Sequence, residues 1–456
     1  MDNPAVIWGT RRISWGQIDQ YAASVVSQLK NIGIKPGDRV AICAPSSPEY
    51  IIVLLSLWRM KAVVCPVSPR WPVALVNDYL SRIKAVLFLT TVQIKASLTG
   101  IGVRTLYLNE VVCFDARREL PQTQGAWQPD LEQEVTVIAT AGSSGPPKPA
   151  VHTWGNHYFN ALGSQEVIPL KTGDRWLLSL PLYHVSGMAI AVRCFLAKAA
   201  IVILTDNDLE NAIVQRQVTH ISLVSTQIYR LLQTPAGMEA LRSLKYILLG
   251  GSAMVPWMVQ KLLKEGLKVL TSYGLTEMAS QVATGPAGQC VKILRHRQLK
   301  ISGDGEILVK GETLFKGYIQ SGRIHLPLTE DGWFQTGDLG QLDEKGCLIV
   351  LGRRDNMFIS GGENVQPEEI EQVLLSVEGV AEAIVVPKED AEFGHRPVAF
   401  VRYASAAIPT EAHIIKHCES FLPRFKIPVH FYPWPQDLIE KGLKISRHDL
   451  RGKLVR

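Results

Sequence analysis

Helical segments alternate with short apolar ones over the first part of the chain, and this alternation restricts the fold more than any other feature. Residues 14–29 have the spacing of an amphipathic helix, and residues 39–44 are typical of a buried strand. Residues 48–60 and 62–67 repeat the pair. Helices that alternate with buried strands predict βαβ units and a mainly parallel, doubly wound sheet.

The pattern recurs later, so we predict the α/β class for the larger part of the chain. Further buried strands are predicted at residues 175–179, 200–204, 221–224, 246–249 and 268–272. From about Gly303 the apolar segments are bounded by turns, as at 305–309 and 346–351, which is typical of antiparallel strands. A small barrel-like part is therefore expected beside the doubly wound sheets.

A new unit of about 100 residues begins after Arg354. It contains a helix from Pro367, strands at 381–386 and 398–403, and a helix at 410–421. Proline is favoured in the first turn of a helix. A chain of 456 residues that is 46% hydrophobic exceeds one ordinary domain. We predict an N-terminal domain over residues 1–353 and a small, mobile α+β domain over residues 354–456.

Composition excludes several classes of protein. The net charge of +6 is mild for this length, and the basic residues form no dense stripe, so no nucleic-acid partner is expected. The seven cysteines are odd in number, widely spaced and without a C-x-x-C pair, which argues against a disulfide framework or zinc site and favours a reducing cytoplasm. No secretory leader is recognisable, and the longest apolar run, residues 51–58, is too short to span a bilayer.

The segment 140–148 is rich in glycine and hydroxyl residues and ends in Lys148, directly after an apolar strand at 135–139. Glycines let backbone N–H groups converge on an oxyanion, hydroxyls add donors, and the lysine adds charge, as a polyphosphate requires. The spacing is not that of a Walker loop, and Pro149 follows the lysine. A flexible connector is the alternative interpretation.

The segment 271–277 places Tyr273, Thr276 and Glu277 within one turn after a strand. An aromatic ring can stack on a base, a threonine can bond a phosphate, and a glutamate can hold Mg²⁺. A loop with an ordinary helix cap is the alternative. Three later segments are weaker when taken singly, because each also fits an ordinary turn or a solvated charge: residues 332–338, 352–364 and 440–447.

In this order, the segments resemble those of the superfamily of acyl-CoA synthetases, firefly-type luciferases and peptide-synthetase adenylation domains, over nearly the whole chain. Residues 151–154, 180–187 and 360–364 are most similar to the ligases that join o-succinylbenzoate to coenzyme A in menaquinone biosynthesis. The resemblance implies an AMP-forming acid–thiol ligase that uses ATP, Mg²⁺ and coenzyme A. A homo-oligomer is compatible with it. The alternatives are a fatty or aryl carboxylate–CoA ligase and an adenylation enzyme that loads a carrier protein.

The resemblance also implies roles in nucleotide binding. Tyr273 would stack on adenine, Asp338 and Arg353 would contact the ribose, Thr276 would contact the α-phosphate, and Glu277 would bind Mg²⁺. The phosphate loop would hold the β and γ phosphates through Thr140, Gly142, Ser143, Ser144, Gly145 and Lys148. The remaining nucleotide-binding positions are Ser272 and Gly274 beside the tyrosine and the opposite wall of Gly250, Gly251 and Ser252.

Further roles concern the acid and the two half-reactions. Lys444 would bridge the carboxylate and the α-phosphate, although Leu443 interrupts the motif and makes Lys441 a rival. Asp355 matches the hinge, and His184 lies in the aromatic motif beside the acyl pocket. The remaining assignments are Gly361 and Gly362 on the coenzyme A side, Arg193 as the cation for the unreacted carboxylate, and Ser186, Ser225, Thr226 and Gln227 as donors. A surface charge is the alternative for Arg193.

Overall fold

The computed structural model describes residues 3–114, 129–140, 146–206, 208–251, 256–404, 408–435 and 447–454. Its strands are β1 Pro4–Trp8, β2 Arg11–Ser14, β3 Arg39–Cys43, β4 Val63–Pro66, β5 Leu87–Thr90, β6 Thr105–Tyr107, β7 Glu134–Thr140, β8 Lys148–Thr153, β9 Arg175–Leu177, β10 Ala200–Ile203, β11 His220–Leu223, β12 Tyr246–Gly250, β13 Val269–Leu275, β14 Ser280–Pro286, β15 Lys292–Ile293, β16 Gln298–Ile301, β17 Glu306–Lys310, β18 Gly317–Gln320, β19 Arg323–His325, β20 Phe334–Leu342, β21 Leu348–Arg353, β22 Phe358–Ser360, β23 Glu363–Val365, β24 Val380–Asp390, β25 Gly394–Tyr403 and β26 Phe431–Pro433. Its helices are α1 Trp15–Asn31, α2 Pro48–Arg59, α3 Val73–Ile83, α4 Val92–Ser97, α5 Leu108–Val111, α6 Trp154–Gln165, α7 Val185–Ala197, α8 Leu209–Gln215, α9 Ser225–Leu231, α10 Pro235–Arg242, α11 Pro256–Lys264, α12 Pro367–Leu375, α13 Glu411–Glu419 and α14 Arg447–Leu454.

Two large sheets make up the N-terminal part. One has the order β15-β14-β13-β12-β11-β9-β10-β1-β2, and its strands from β13 to β1 run parallel. The other has the order β19-β18-β8-β7-β4-β3-β5-β6, and its strands from β7 to β6 run parallel. Antiparallel strands complete the edges of both sheets. The prediction of mainly parallel, doubly wound sheets is therefore confirmed.

The core between these sheets explains why the chain forms them. Every residue of α2 from Tyr50 to Trp58 is buried, as a helix packed on several sides requires. The side chain of Ser47 caps this helix by accepting the Tyr50 N–H, and Pro48 occupies the first turn. All four residues of β10 are buried as well, as expected for a strand covered on both faces.

The rest of the chain forms three smaller sheets. The strands β16, β17, β20 and β21 form an antiparallel sheet in that order, which agrees with the predicted change of character near Gly303. Beyond it lie the hairpin β22–β23 and the sheet β24-β25-β26, which is packed with α12 and α13. The α/β class, with a large N-terminal part of several sheets and a small C-terminal part, is as predicted.

The strands β24 and β25 are longer than predicted. Their antiparallel pairing continues to Asp390 and Gly394, well past the apolar segments in the sequence. The extension carries the polar residues Lys388, Glu389 and Asp390, which lie partly or fully in solvent. A hairpin continues through backbone hydrogen bonds even where side chains no longer pack. The apolar residues therefore mark only the buried part of this hairpin, away from its turn.

Cys290 and Cys347 form a disulfide, which the odd number and wide spacing of the cysteines had argued against. The two residues are separated by 57 positions. The residues that follow the two cysteines are also joined. The backbone N–H of Leu348 donates to the carbonyl of Val291 at 2.9 Å, which brings the two chain segments together. Such a pairing depends on how distant strands assemble, so cysteine spacing does not reveal it.

The region of the predicted domain boundary contains a short 3₁₀ turn, Arg354–Asn356. The boundary itself stays a prediction. Across the residues that the structure describes, no helix combines the length and apolar character needed to cross a bilayer.

Candidate active site

Several predicted site residues lie at one edge of the nine-stranded sheet. The strands β9, β11, β12 and β13 are parallel neighbours, so their carboxyl ends share that edge. His184, Ser225, Gly251 and Thr276 each follow one of these strands. Ligands of open α/β sheets bind outside the carboxyl ends of the strands. The fold therefore gathers residues that are up to about 90 positions apart in the sequence.

Tyr273, Asp338 and Arg353 form one cluster. The Tyr273 hydroxyl donates to Oδ2 of Asp338 at 2.6 Å, and Nη1 of Arg353 donates to Oδ1 at 3.0 Å. Burial raises the pKa of Asp338, while the hydrogen bond from Tyr273 and the charge of Arg353 act in the opposite direction. The structure thus brings the predicted adenine-stacking and ribose-binding residues together.

Thr276 and Glu277 begin a 3₁₀ turn, Thr276–Met278, directly after β13. The backbone carbonyl of Thr276 is 2.7 Å from Nε2 of the buried His152. Burial lowers the pKa of His152 to about 4, so this imidazole is neutral at pH 7 and donates through Nε2. The turn that carries the predicted phosphate and Mg²⁺ ligands is therefore anchored to β8.

Glu277 fits the role of a Mg²⁺ ligand. Its Oε1 accepts a hydrogen bond from the Tyr318 hydroxyl at 2.5 Å. Burial raises the pKa of this carboxyl group, and a bound cation would act in the opposite direction, because it would stabilise the ionised carboxylate. The described part of the chain contains no group of three or more His, Cys, Asp or Glu side chains that could hold a metal. Mg²⁺ is commonly bound by one or two carboxylates together with substrate phosphates.

The two ends of the predicted phosphate loop are adjacent. Thr140 ends β7 and pairs in register with Lys148, which begins β8. The Lys148 ammonium lies 5.5 Å from the centre of the Tyr318 ring, so the loop and the Glu277 turn share a neighbour. The other predicted residues of this loop, and three further predicted residues, lie outside the described residues: Gly142, Ser143, Ser144, Gly145, Ser252, Lys441 and Lys444.

The nucleotide wall depends on close backbone packing. A Cβ atom on Gly274 would lie 2.1 Å from the carbonyl oxygen of Ser280, so only glycine fits there. Gly250 ends β12, and Gly251 follows it with a positive φ of 84°. Ser272 lies opposite Gly250 in the register between β12 and β13. These four residues are therefore close together, as the prediction requires.

The predicted acid-binding residues lie at the starts of two helices. His184 and Ser186 lie at the start of α7, and Ser225 begins α9. Thr226 follows in α9, and its side chain lies outside the described residues. The Gln227 amide donates to the Ser179 carbonyl at 3.0 Å and accepts from the Val224 N–H at 3.1 Å, so its side chain is engaged by the backbone.

Arg193 is buried within α7, with 5% of its surface exposed, and is not a surface charge. Its Nη2 donates to Gln281 Oε1 at 2.6 Å and lies 3.4 Å from Asn160 Oδ1. The guanidinium also lies 5.4 Å from the centre of the Trp176 ring. Burial lowers its pKa to about 10, which leaves it charged at pH 7. Within the described residues, its Nε has no hydrogen-bond partner.

The predicted hinge and coenzyme A side lie further along the chain. Asp355 accepts a hydrogen bond from Nε of Arg353 at 3.1 Å, which links the hinge turn to the ribose cluster. Gly361 and Gly362 form the turn between β22 and β23, and both have positive φ values. The Gly361 N–H donates to the carbonyl of Phe393 at 2.9 Å.

Four residues that contact the site were missed by the sequence analysis. His152 and Tyr318 hold the 276–277 turn and its carboxylate, as described above. Thr336 accepts the Asp338 N–H at 3.0 Å, and Glu306 accepts the Gly337 N–H at 2.8 Å. Glu306 and Thr336 both lie in turn-flanked segments that the sequence analysis noted, whereas no local pattern marks Tyr318.

Comparison with known proteins identifies relatives of the whole chain. A family model for AMP-binding enzymes matches residues 1–319, and a model for their C-terminal domain matches residues 369–441. The 2-succinylbenzoate–CoA ligase of Salmonella typhimurium is 34% identical over an alignment of 455 positions that covers 98% of this chain and 94% of the relative.

Solved structures are similar over the whole chain. Bacillus subtilis o-succinylbenzoate CoA synthetase (MenE) in complex with the acyl-adenylate intermediate OSB-AMP has a TM-score of 0.86 at 28% identity, covering 99% of this chain and 95% of that one. The same enzyme in complex with ATP and magnesium ion has a TM-score of 0.84 at 27% identity, covering 100% and 97%. The chain therefore belongs to the family of AMP-binding enzymes and, within it, to the 2-succinylbenzoate–CoA ligases.

Proposed function

We propose that this chain is an ATP-dependent acid–thiol ligase that forms an acyl adenylate and then an acyl-CoA, with o-succinylbenzoate as the acid, in menaquinone biosynthesis. The observation that carries the proposal is the cluster of Tyr273, Asp338 and Arg353 beside the Thr276–Met278 turn. It offers an aromatic face, a ribose acceptor and a carboxylate at one edge of a parallel sheet. Sequence identity to 2-succinylbenzoate–CoA ligases supports the choice of acid.

The first half-reaction activates the acid. A carboxylate oxygen attacks the α-phosphorus of ATP, the bond to pyrophosphate breaks, and an acyl adenylate forms. Two anions must approach each other, so positive charge at the site lowers the barrier. In the proposal, Lys444 and Lys148 supply this charge, while Thr276 orients the α-phosphate. Mg²⁺ held by Glu277 would neutralise phosphate charge.

The second half-reaction transfers the acyl group. The thiol sulfur of coenzyme A attacks the acyl carbon, the bond to the phosphate oxygen breaks, and AMP leaves. We propose that the C-terminal part rotates about Asp355 between the steps, which removes Lys444 and brings Gly361 and Gly362 towards the thiol. His184, beside the acyl site, would gate the passage between steps.

The acid carries a second carboxylate that does not react, and its pocket needs a cation or donors together with an apolar wall. Arg193 is charged and buried, and its Nε hydrogen has no partner within the described residues, so a donor remains for a ligand. Ser186 and Ser225 lie at the starts of α7 and α9, which follow the adjacent strands β9 and β11, and would add hydroxyl donors. Thr226 and Gln227 are weaker candidates for donors, because the Gln227 amide already bonds the backbone.

We further propose that the protein acts in the cytoplasm, where ATP and coenzyme A are both available. The Cys290–Cys347 disulfide is at odds with a reducing compartment, in which most thiols stay reduced. Trapping free thiols with an alkylating agent before cell lysis and counting them would show whether this bond exists in the cell.

The test of the function is pyrophosphate release across a panel of acids, with and without coenzyme A. We expect o-succinylbenzoate to be used at least about tenfold more efficiently than benzoate or octanoate. Acyl-CoA should appear only when coenzyme A is present. Equal use of the three acids would refute the acid assignment, and transfer only to a carrier protein would refute the acid–thiol assignment.

A further inference from the structure

Glu306 is a buried carboxylate for which the proposed chemistry has no use. It begins β17, and 4% of its side chain is exposed. A buried carboxylate is costly unless hydrogen bonds and a cation compensate the lost hydration. Its partners therefore explain why the fold tolerates a charge at this position.

One oxygen of Glu306 bonds the backbone of β20 directly before Asp338. Its Oε1 accepts the Gly337 N–H at 2.8 Å, and Gly337 has a positive φ of 73°. The pairing of β17 with β20 is irregular between Glu306 and Leu308. Beside this irregularity, the side chain of Glu306 accepts the backbone N–H of Gly337. This hydrogen bond therefore holds the irregular part of β20 that carries Asp338.

The other oxygen holds the predicted hinge. Its Oε2 accepts from Nη1 of Arg354 at 2.7 Å and from the Gln335 amide at 3.2 Å. Arg354 begins the Arg354–Asn356 turn, and the preceding Arg353 reaches Asp338 at 3.0 Å. Two consecutive arginines therefore attach the hinge turn to the antiparallel sheet, Arg353 through Asp338 on β20 and Arg354 through Glu306 on β17.

We propose that Glu306 is a positioning residue that sets the orientation of Asp338 for the ribose of ATP and couples it to the hinge turn through Arg354. The inference rests on the proposed ATP-binding role of Asp338. A change in the hinge that displaces Arg354 would act on the ribose contact without any movement of the nine-stranded sheet.

Glutamine at position 306 cannot reproduce both contacts. Its carbonyl oxygen can accept from Gly337 or from Arg354, and its NH₂ group then faces the other donor. The Glu306→Gln variant keeps the shape of the side chain and loses one of the two bonds. Loss of a hydrogen bond to a charged group corresponds to roughly ten- to a hundredfold in an equilibrium constant.

The experiment measures AMP binding by calorimetry and the KM for ATP and for the acid, in wild type, Glu306→Gln and Asp304→Asn. Asp304 is the matched control, because it also pairs with Arg354 but is exposed and has no contact with Gly337. We expect Glu306→Gln to weaken AMP binding and raise the KM for ATP about tenfold, with the KM for the acid changed less than about twofold. Asp304→Asn should leave all three values near those of wild type.

The coupling to the hinge needs a double-mutant cycle with Arg354→Ala, a half-exposed residue whose loss leaves Gly337 bonded. Coupling predicts that the double variant binds AMP about as weakly as Glu306→Gln alone, whereas additive effects would overturn the link. Equal AMP affinity in Glu306→Gln and Asp304→Asn would overturn the positioning role. A wild-type protein without ATP-dependent activity would instead refute the proposed function, so the two failures are distinguishable.

Discussion

Burial sets the charge state of several side chains at the candidate site. Burial raises the pKa of Tyr273 well above its usual value, which keeps its hydroxyl protonated and able to donate to Asp338. The same effect lowers the pKa of His152 to about 4 and keeps its imidazole neutral. Since neither group titrates near pH 7, the hydrogen bonds that hold the Asp338 and Thr276 positions persist across the physiological range.

Arg193 permits a prediction about acid recognition. The Arg193→Ala variant should raise the KM for o-succinylbenzoate about tenfold or more, because a charge-assisted hydrogen bond to the unreacted carboxylate is lost. The KM for ATP should change little. Steady-state kinetics with each substrate varied in turn will measure both values. Thermal unfolding of the same variant controls for the lost bond to Gln281, and an unchanged KM for the acid would remove Arg193 from the pocket.

Glu371 permits a prediction about the pH dependence of stability. Burial raises its pKa to about 7, against the charge of Arg447, which donates to both carboxylate oxygens at 2.7 Å, while the neighbouring Glu368 adds to the rise. The native state therefore binds this proton more tightly than the unfolded state does. Its contribution makes stability fall as pH rises from about 4.5 to about 7.

Between pH 5 and pH 8 we expect wild type to lose on the order of 2 kcal/mol of stability relative to Glu371→Gln. Urea unfolding of both proteins at the two pH values measures this difference. Glu369→Gln, on the same helix but in a more exposed pair with Lys426, is the control and should track wild type. A difference that stays constant with pH would show that Glu371 does not titrate in this window.

At the level of elements, the antiparallel strands β20 and β21 carry Asp338 and Arg353, and the disulfide ties their sheet to the nine-stranded sheet. Cys290 lies between β14 and β15, whereas Cys347 directly precedes β21, which ends at Arg353. The bond therefore joins the nine-stranded sheet to the four-stranded one. It limits how far β21 can separate from the strands that carry Tyr273.

Loss of this crosslink should destabilise the protein without abolishing catalysis. Closing a loop of 57 residues in the unfolded chain corresponds to about 4 kcal/mol in the chain-entropy model. We expect Cys347→Ser to lower the free energy of unfolding by roughly 2–4 kcal/mol under non-reducing conditions. Denaturation with and without a reductant is the measurement. If reductant lowers the stability of Cys347→Ser as much as that of wild type, the effect does not come from this bond.

At the scale of the whole molecule, the N-terminal and C-terminal parts are in direct contact. The Tyr229 hydroxyl on α9 donates to the carbonyl of Ala404 at 2.8 Å, and the Arg402 guanidinium lies 5.0 Å from the centre of the Tyr229 ring. The indole N–H of Trp257 on α11 donates to the carbonyl of Val380 at 3.4 Å. A rotation of the C-terminal part between half-reactions must break these contacts.

Separating the half-reactions tests that rotation. If Lys444 acts only in adenylation, Lys444→Ala should lose acyl-adenylate formation by about a hundredfold or more and retain most thioester formation from preformed adenylate. Lys441→Ala, three residues earlier, is the control and should retain both activities. Single-turnover assays of each step provide the measurement. Equal loss of both steps in Lys444→Ala would contradict the alternating arrangement, and loss in Lys441→Ala would reassign the lysine.

The architecture could be predicted from the residue pattern alone, and the family resemblance nominated the site residues. Hydrophobic periodicity located most strands of the two parallel sheets, since buried strands and amphipathic helices have different periods. It did not identify β1, β5 and β6. The family resemblance chose Tyr273, Asp338 and Arg353, which lie within hydrogen-bonding reach of one another in the structure. Roles that depend only on local residue type and order can be inferred without tertiary contacts.

The distant residues that support those positions become visible only when the chain is folded. The Cys290–Cys347 bond, the contact of His152 with the Thr276 carbonyl and the two contacts of Glu306 all join segments that are far apart in the chain. The tertiary structure also placed Arg193 in the interior, where the sequence had left a surface position open. Such contacts depend on how sheets pack and on where a strand pairing becomes irregular, and a local pattern of residues specifies neither.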